Sequence, residues 1–471
     1  MNALSLTKVA QMAGGKVLGH QGERHVINVC TDSRKVQPGD LFVALKGDTF
    51  DGHDYLQELE SKGAVAAMIS DSGLQDRVKG SLGLILVDDT LVSLQKLAQA
   101  YRRQLKVKIV AVTGSNGKTS TKEFIAAILS KKFTTHKTSG NLNNHIGVPL
   151  TILQLNSEHE WAVIEMGMNH PGELDILVEL ADPTWGVITK IGWAHIEAFS
   201  NQEGIAQEKA SVIRKLKTTD KAFLNADDPY YTFLQGQTNA QIISSGIKDA
   251  VSVKVELKEF TETAAHFSFQ SKEGHFDAQI NVPAWHMAQN AGLAIALGLE
   301  AGVNPAQIVA ALANCDLGKN RLKIIPYAKG LLIDDTYNAS PDSMQAAFET
   351  LERLPVPGRR VALLGSMGEL GAYSAQLHKE AGKKAIQSGV DLLCVYGFGA
   401  EDYVEGAKQA GATEKHVRQF DSHEMLYNFY ESTRLASDVI LVKGSRSQRM
   451  ECVVEMLKQN KQEGLSSCSA I

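Results

Sequence analysis

The segment Gly114-Ser115-Asn116-Gly117-Lys118-Thr119 carries the most specific chemistry in the chain. Two glycines let a backbone approach a phosphate closely, a lysine can reach the β- and γ-phosphates of a nucleotide, and a threonine hydroxyl can ligate Mg²⁺. Ser120 adds a second hydroxyl one residue on. The β-branched run before the loop (Val107, Ile109, Val110, Val112) predicts a buried strand, and Phe124, Ile125, Ile128 and Leu129 predict an amphipathic helix after it. A strand, a glycine loop and a helix start aim backbone N–H groups and the helix dipole at an anion. The common spacing G-x-x-x-x-G-K-[ST] would place glycine at 112, where this chain has Val112. A glycine turn that binds nothing is the weaker reading, because strand and helix flank the loop as phosphate binding requires.

Other residues could act with this loop. Glu165 ends the apolar run Trp161–Ile164, and a strand-end carboxylate is a hard oxygen ligand for a nucleotide's metal. His195 follows the strand-like 186–192, although a lone histidine is more often structural. Lys209, taken alone, is a surface helical lysine. Asn141 and Asn144 sit in a segment whose composition suits a turn equally well. Ser33-Arg34 and Lys46-Gly47 could hold a diphosphate, with a capping serine and a solvated arginine as the plain alternative. Lys443-Gly444-Ser445-Arg446 lies between a predicted strand and helix, a position that suits an anion or carboxylate.

Positioning these residues takes more than one core. A chain of 471 residues carries a prior of roughly two to four domains. The first unit, 1–84, mixes short strands (Val26–Val29, Leu41–Leu45, Val65–Ile69) with turns at Gln37-Pro38-Gly39 and Lys46-Gly47-Asp48. The second, 85–315, opens with a helix at 91–105 and alternates strands at 106–112, 161–167, 186–192 and 221–228 with helices, which predicts a parallel sheet. Its stretch 250–283 alternates as antiparallel strands do, so that sheet is expected to be mixed. The third, 316–471, has strands at 330–334, 360–364, 391–396 and 438–442 in a doubly wound pattern, with ligands expected at the strands' carboxyl ends. The polar tail 459–471 reads as disordered.

Net charge is −5 from 48 basic and 53 acidic residues, with no long basic run, so nucleic acid is not an expected partner. No segment approaches the ~18 apolar residues of a membrane span, and the amino terminus has no signal-peptide stretch. The five scattered cysteines read as reduced thiols. A monomer in the cytoplasm, acting on small molecules, is the expectation.

The loop TGSNGKTST, with its departure at Val112, resembles the nucleotide loop of the Mur ligases and the related folylpolyglutamate synthetases, ATP-dependent enzymes that form amide bonds. The segments at 31–55, 140–150, 165–175, 334–344, 365–371 and 442–450 extend the likeness over nearly the whole chain. They resemble those Mur ligases that add D-alanyl-D-alanine to a UDP-N-acetylmuramoyl-tripeptide. The resemblance implies three α/β domains: a small mixed domain for the UDP-sugar peptide, a central P-loop domain for ATP, and a Rossmann-like domain for the incoming dipeptide. It implies an acyl-phosphate route with Lys118, Glu165, His195 and Lys209 in catalysis. Thr119, Glu165 and His195 would hold Mg²⁺, and the lysine matching Lys209 can be carbamylated in the family.

For ATP it implies the loop 114–120, Asn144, Asn290, Arg321 and Asp335. For the other substrates it implies Ser33, Arg34, Lys46, Gly47, Lys443, Ser445 and Arg446. Two departures bear on this. The adenine motif His-Asn-x-x-Asn reads His286-Met287-Ala288-Gln289-Asn290, and Met287 cannot supply the missing amide. Pro-Gly-Arg reads Lys319-Asn320-Arg321. The rivals are a related amino-acid-adding ligase, whose Asp-Asn-Pro-Arg signature is absent, and a P-loop ATPase switch acting on a protein partner.

Overall fold

The run Lys108–Thr113 forms a strand buried at every residue after Lys108, and the sheets on either side are built outward from strands of this kind. The computed structural model describes residues 1–19, 24–77, 81–318 and 322–466.

Lys108–Thr113 lies inside a nine-stranded sheet, with Trp161–Glu165 and then Thr135–Lys137 on one side. On the other side come Trp185–Ile188, Lys221–Asn225, Gln241–Gly246 and Val253–Phe260. All these strands run parallel. Ala265–Ser271 and Gly274–Ile280 add an antiparallel ribbon, so the sheet is mixed as the 250–283 pattern predicts. The strands after Lys108–Thr113 are laid down on both of its sides, which makes its carboxyl end a topological switch point where α/β sheets bind ligands. The phosphate loop begins there, and the helix Lys118–Leu129 carries Phe124, Ile125, Ile128 and Leu129 fully buried.

The first domain has a five-stranded sheet in the order Lys16–Leu18, Gly83–Leu86, Ala66–Ile69, Asp40–Val43, Asn28–Cys30. Asn28–Cys30 overlaps the expected strand Val26–Val29, whereas the edge strand Lys16–Leu18, three residues long, is too short to show a period-2 pattern. The third domain has six strands in the order Lys323–Tyr327, Gly330–Asp335, Val439–Lys443, Arg360–Gly365, Leu392–Tyr396, Val417–Phe420. The first pair is antiparallel and the rest are parallel. Four of the six lie where the sequence puts them; Lys323–Tyr327 and the half-exposed Val417–Phe420 add one edge each. The chain therefore has three mixed α/β domains. The reading of 459–471 as a disordered tail is corrected over 459–466, where the last helix, Glu451–Ser466, continues on good helix formers; residues 467–471 lie outside the described residues. No helix among the described residues is long and apolar enough to cross a membrane, and Cys30, Cys315, Cys394 and Cys452 are unpaired.

Candidate active site

Glu165 ends, and Thr119 and His195 follow, three neighbouring parallel strands, so their side chains converge at one end of the sheet. They share a cavity of about 340 Å³ with Ser115, Asn116, Gly117, Lys118, Ser120, Asn144 and Asn290. The third domain closes the opposite wall with Asp335, Tyr337, Asn338, Ser340, Asp342 and Lys443.

The loop is held by tight packing. Gly114 has φ +150°, and a Cβ there would lie 1.9 Å from Thr189 Oγ1. Gly117 has φ +81°, and a Cβ there would lie 2.4 Å from Asn290 Oδ1. Only glycine fits either place. The segment 189–192, just past the strand Trp185–Ile188, braces the loop: the Ser115 amide donates to the Lys190 carbonyl at 2.7 Å and the Gly192 amide to Ser115 Oγ at 2.9 Å. The Lys118 ammonium donates to the Gly114 carbonyl at 2.8 Å. Val112 at the departure position is fully buried in the core, so the loop leaves the strand one residue pair later than the common spacing would allow.

Glu165 is 2 % exposed. Its Oε1 accepts from Asn143 Nδ2 at 2.8 Å, and its backbone N–H donates to Thr138 Oγ1 at 3.0 Å. The ammonium of Lys122, itself wholly buried, lies 3.6 Å from Glu165 Oε2 and donates to the Thr138 carbonyl at 2.9 Å. Oε2 has no hydrogen-bond partner. A buried carboxylate oxygen facing a phosphate loop without a donor is the feature a cation would satisfy. Among the described residues no three His, Cys, Asp or Glu cluster as a self-sufficient metal site. The donors present (one carboxylate, one imidazole, one hydroxyl) fit an ion that takes its remaining oxygens from phosphate and water, as Mg²⁺ does.

His195 has φ +67°, unusual for a residue with a Cβ. Lys209 lies on the helix Gln202–Arg214 and is fully buried, which corrects its reading as a surface lysine: it is on the face of the helix that packs inward. Burial above all, and then the charge of Lys118, holds its amine well below the usual lysine range. Asp335 and Lys443 are cross-strand neighbours, and Lys443 Nζ lies 2.5 Å from Asp335 Oδ2 and 2.9 Å from the Asn338 carbonyl. Burial pushes His286 down to about 4, so it lines the cavity as a neutral ring.

The remaining sequence candidates are distributed differently. Asn144 lines the cavity, but its Oδ1 accepts from the Ile146 and Gly147 amides at the start of a helix; Asn143 is the residue that reaches Glu165. Ser445 is buried and Arg446 is exposed and paired with Glu451, and neither lines the cavity. Ser33, Arg34, Lys46 and Gly47 also lie off it. Arg34 is bound to Asp32, whose carboxyl that guanidinium holds down to about 2. Arg321 lies outside the described residues. Sequence reasoning missed Lys122, Asn143, Ser340 and Asp342. Ser340 Oγ donates to Asn116 Oδ1 at 3.0 Å, and Asp342 pairs with Lys190 at 3.2 Å and accepts from the Trp193 amide at 2.8 Å. Lys122 and Asn143 stand beside motif residues and carried that much signal; the Ser340 and Asp342 contacts join segments more than a hundred residues apart and carried none.

By fold and cavity alone the molecule is a P-loop nucleotide enzyme in three α/β domains. Three family models divide it in the same way: "Mur ligase family, catalytic domain" over residues 25–113, "Mur ligase middle domain" over 112–298, and "Mur ligase, glutamate ligase domain" over 320–446. The UDP-N-acetylmuramoyl-tripeptide–D-alanyl-D-alanine ligase of Bacillus subtilis (strain 168) is 36 % identical over 455 residues, 96 % of this chain and 98 % of that one. The enzyme of the same name from Escherichia coli (strain K12) is 36 % identical over 98 % of this chain and 99 % of its own. Among solved structures, MurF from Acinetobacter baumannii superposes with a TM-score of 0.88 at 31 % identity, covering 98 % of this chain and 99 % of that one. The Thermotoga maritima MurF ligase in complex with ADP gives 0.79 at 28 %, covering 93 % and 98 %. The chain belongs to the Mur ligase family and is an ATP-dependent ligase that forms amide bonds.

Proposed function

We propose that the chain joins D-alanyl-D-alanine to UDP-N-acetylmuramoyl-tripeptide at the expense of ATP, in peptidoglycan synthesis in the cytoplasm. The observation that carries this reading is the near full-length likeness, in all three domains, to ligases named for that reaction. The tripeptide's terminal carboxylate takes the γ-phosphoryl group, giving an acyl phosphate and ADP. The dipeptide amine then attacks the acyl carbon, loses a proton, and phosphate leaves as the amide forms. Lys118 and the loop amides hold the phosphates where charge moves between oxygens. Thr119, Glu165 and His195 would hold Mg²⁺, which supplies charge neutralisation at the transferring phosphoryl group. Lys209, with its amine held neutral more readily than a surface lysine's, can take up CO₂ and release a proton, becoming an anionic carbamate beside Lys118.

Asp335 is oriented by Lys443 and suits the ribose hydroxyls; Asn290, with Met287 in place of the first amide, packs on Gly117 and serves the adenine side. The domain division follows the roles: residues 1–84 for the UDP-sugar peptide, 85–315 for ATP and 316–471 for the dipeptide, whose carboxylate Arg446 would meet. Phosphate release measured with a panel of amines tests the reading. Release should require both the UDP-linked tripeptide and D-alanyl-D-alanine. Release with either one omitted, or with free amino acids serving equally well, would sink it.

A further inference from the structure

The third domain reaches across to His195 with a single acidic side chain, Glu369. Its Oε2 lies 2.6 Å from His195 Nδ1, although off the axis along which that nitrogen would donate. Both residues have left-handed backbones, φ +67° at His195 and φ +60° at Glu369. Such conformations cost energy in residues with a Cβ and collect at functional sites. Here the two meet each other. The Glu197 amide donates to the Glu369 carbonyl at 3.1 Å, fixing the second loop against the first. Beside them the Trp193 and Tyr373 rings lie 5.5 Å apart, and the Tyr373 hydroxyl donates to the Ser200 carbonyl at 2.9 Å.

The Glu369 side chain is 55 % exposed and that of His195 19 %, and a carboxylate this open to water contributes little to stability through its partner. What it can do is orient. A carboxylate on one ring nitrogen fixes the tautomer and plane of a metal-binding histidine and raises the basicity of the other nitrogen. With Nδ1 turned to the Glu369 carboxylate 2.6 Å away, Nε2 is the nitrogen left to bind. We infer that Glu369 is a positioning residue for His195, so that the middle domain's metal ligand is set only when the third domain is docked. This rests on the assignment of His195 to Mg²⁺.

The test is Mn²⁺ affinity, read by electron paramagnetic resonance on the full-length protein saturated with ADP, together with ADP affinity measured without metal. Glu369→Ala should weaken Mn²⁺ binding roughly 10- to 100-fold, with metal-free ADP affinity unchanged within about twofold. Glu369→Gln, whose amide oxygen can still accept from Nδ1, should recover much of the loss. Tyr373→Phe removes a docking bond but leaves Glu369 in place, and should leave Mn²⁺ affinity near that of the unaltered protein. Unchanged Mn²⁺ affinity in Glu369→Ala, beside a clear loss in His195→Ala, would overturn the positioning role and keep the metal assignment. Unchanged affinity in His195→Ala as well would remove the metal assignment and the inference with it. An equal loss in Tyr373→Phe and Glu369→Ala would mean that domain docking in general, and not this carboxylate, sets the site.

Discussion

The phosphate loop and the TDSR segment of the first domain are both short motifs with a cation and a hydroxyl, yet the fold treats them in opposite ways. Around the loop the functional groups are buried and braced: Glu165 is 2 % exposed, Gly114 and Gly117 admit no Cβ, and a second domain closes over the opening. In the first domain the Arg34 side chain is 85 % exposed and the Lys46 side chain 77 %, and each rests on a neighbouring aspartate. One site is set before its ligand arrives, and the other is surface charge that a ligand must organise. Preorganised charge in a closed site does far more for a reaction than solvated charge does for binding, so substitutions in the two regions should differ by orders of magnitude.

The largest effect is expected at Glu165. Glu165→Ala should lower turnover by roughly a thousandfold or more, since metal-borne charge stabilisation is worth several kcal/mol. Its circular dichroism should match that of the unaltered protein. Steady-state rates at ordinary Mg²⁺ check this, and an unaltered rate would place the carboxylate outside the chemistry.

The loop 443–446 sharpens the contrast within three residues. Lys443 is buried on Asp335, so Lys443→Ala strands a carboxylate and should weaken ATP binding and stability together. Arg446 is exposed and paired with Glu451, so Arg446→Ala should raise the KM for D-alanyl-D-alanine about tenfold, the lower end of a lost charged hydrogen bond, with the KM for ATP unmoved. Substrate-by-substrate kinetics separate the two. A larger ATP effect at Arg446 would assign the whole loop to the nucleotide.

Arg34→Ala should cost less again, raising the KM for the UDP-linked substrate a few-fold, in keeping with solvated charge. The effect should shrink as salt rises. A salt-independent loss would mean that the segment is desolvated in the complex and prebuilt like the phosphate loop.

The smallest effect concerns pH. Burial holds His136 down to about 4, from an ordinary 6.5. The folded chain therefore binds a proton there less readily than the unfolded one. Its contribution to stability is complete above pH 6.5 and is lost as pH falls towards about 4. Thermal unfolding across that window should show a shallower decline in His136→Phe.

Legibility in the sequence follows the same division. The phosphate loop was readable because its geometry is local: glycine positions, a β-branched strand and a helical apolar face all lie between Val107 and Leu129. Glu165 was readable because it ends a buried strand. The antiparallel ribbon at 250–283 and four strands of the third domain were readable from period and punctuation. The contacts that close the cavity were not. His195 meets Glu369, Asn116 meets Ser340 and Lys190 meets Asp342 only after two domains dock, and no residue spacing encodes that approach. Lys122 was missed for another reason: in sequence its one signal is a place beside the phosphate loop, and its complete burial beside Glu165 is what sets it apart from other lysines.

The proposed reaction turns on activation by ATP of a carboxylate of the UDP-linked peptide. It is tested most directly by labelling both oxygens of the tripeptide's terminal carboxylate with ¹⁸O and analysing the released phosphate by mass spectrometry. Transfer through an acyl phosphate predicts one ¹⁸O in each phosphate released, with the other retained in the new amide. Unlabelled phosphate, formed at the same rate as product, would show that water and not the carboxylate attacks ATP, and would contradict the account.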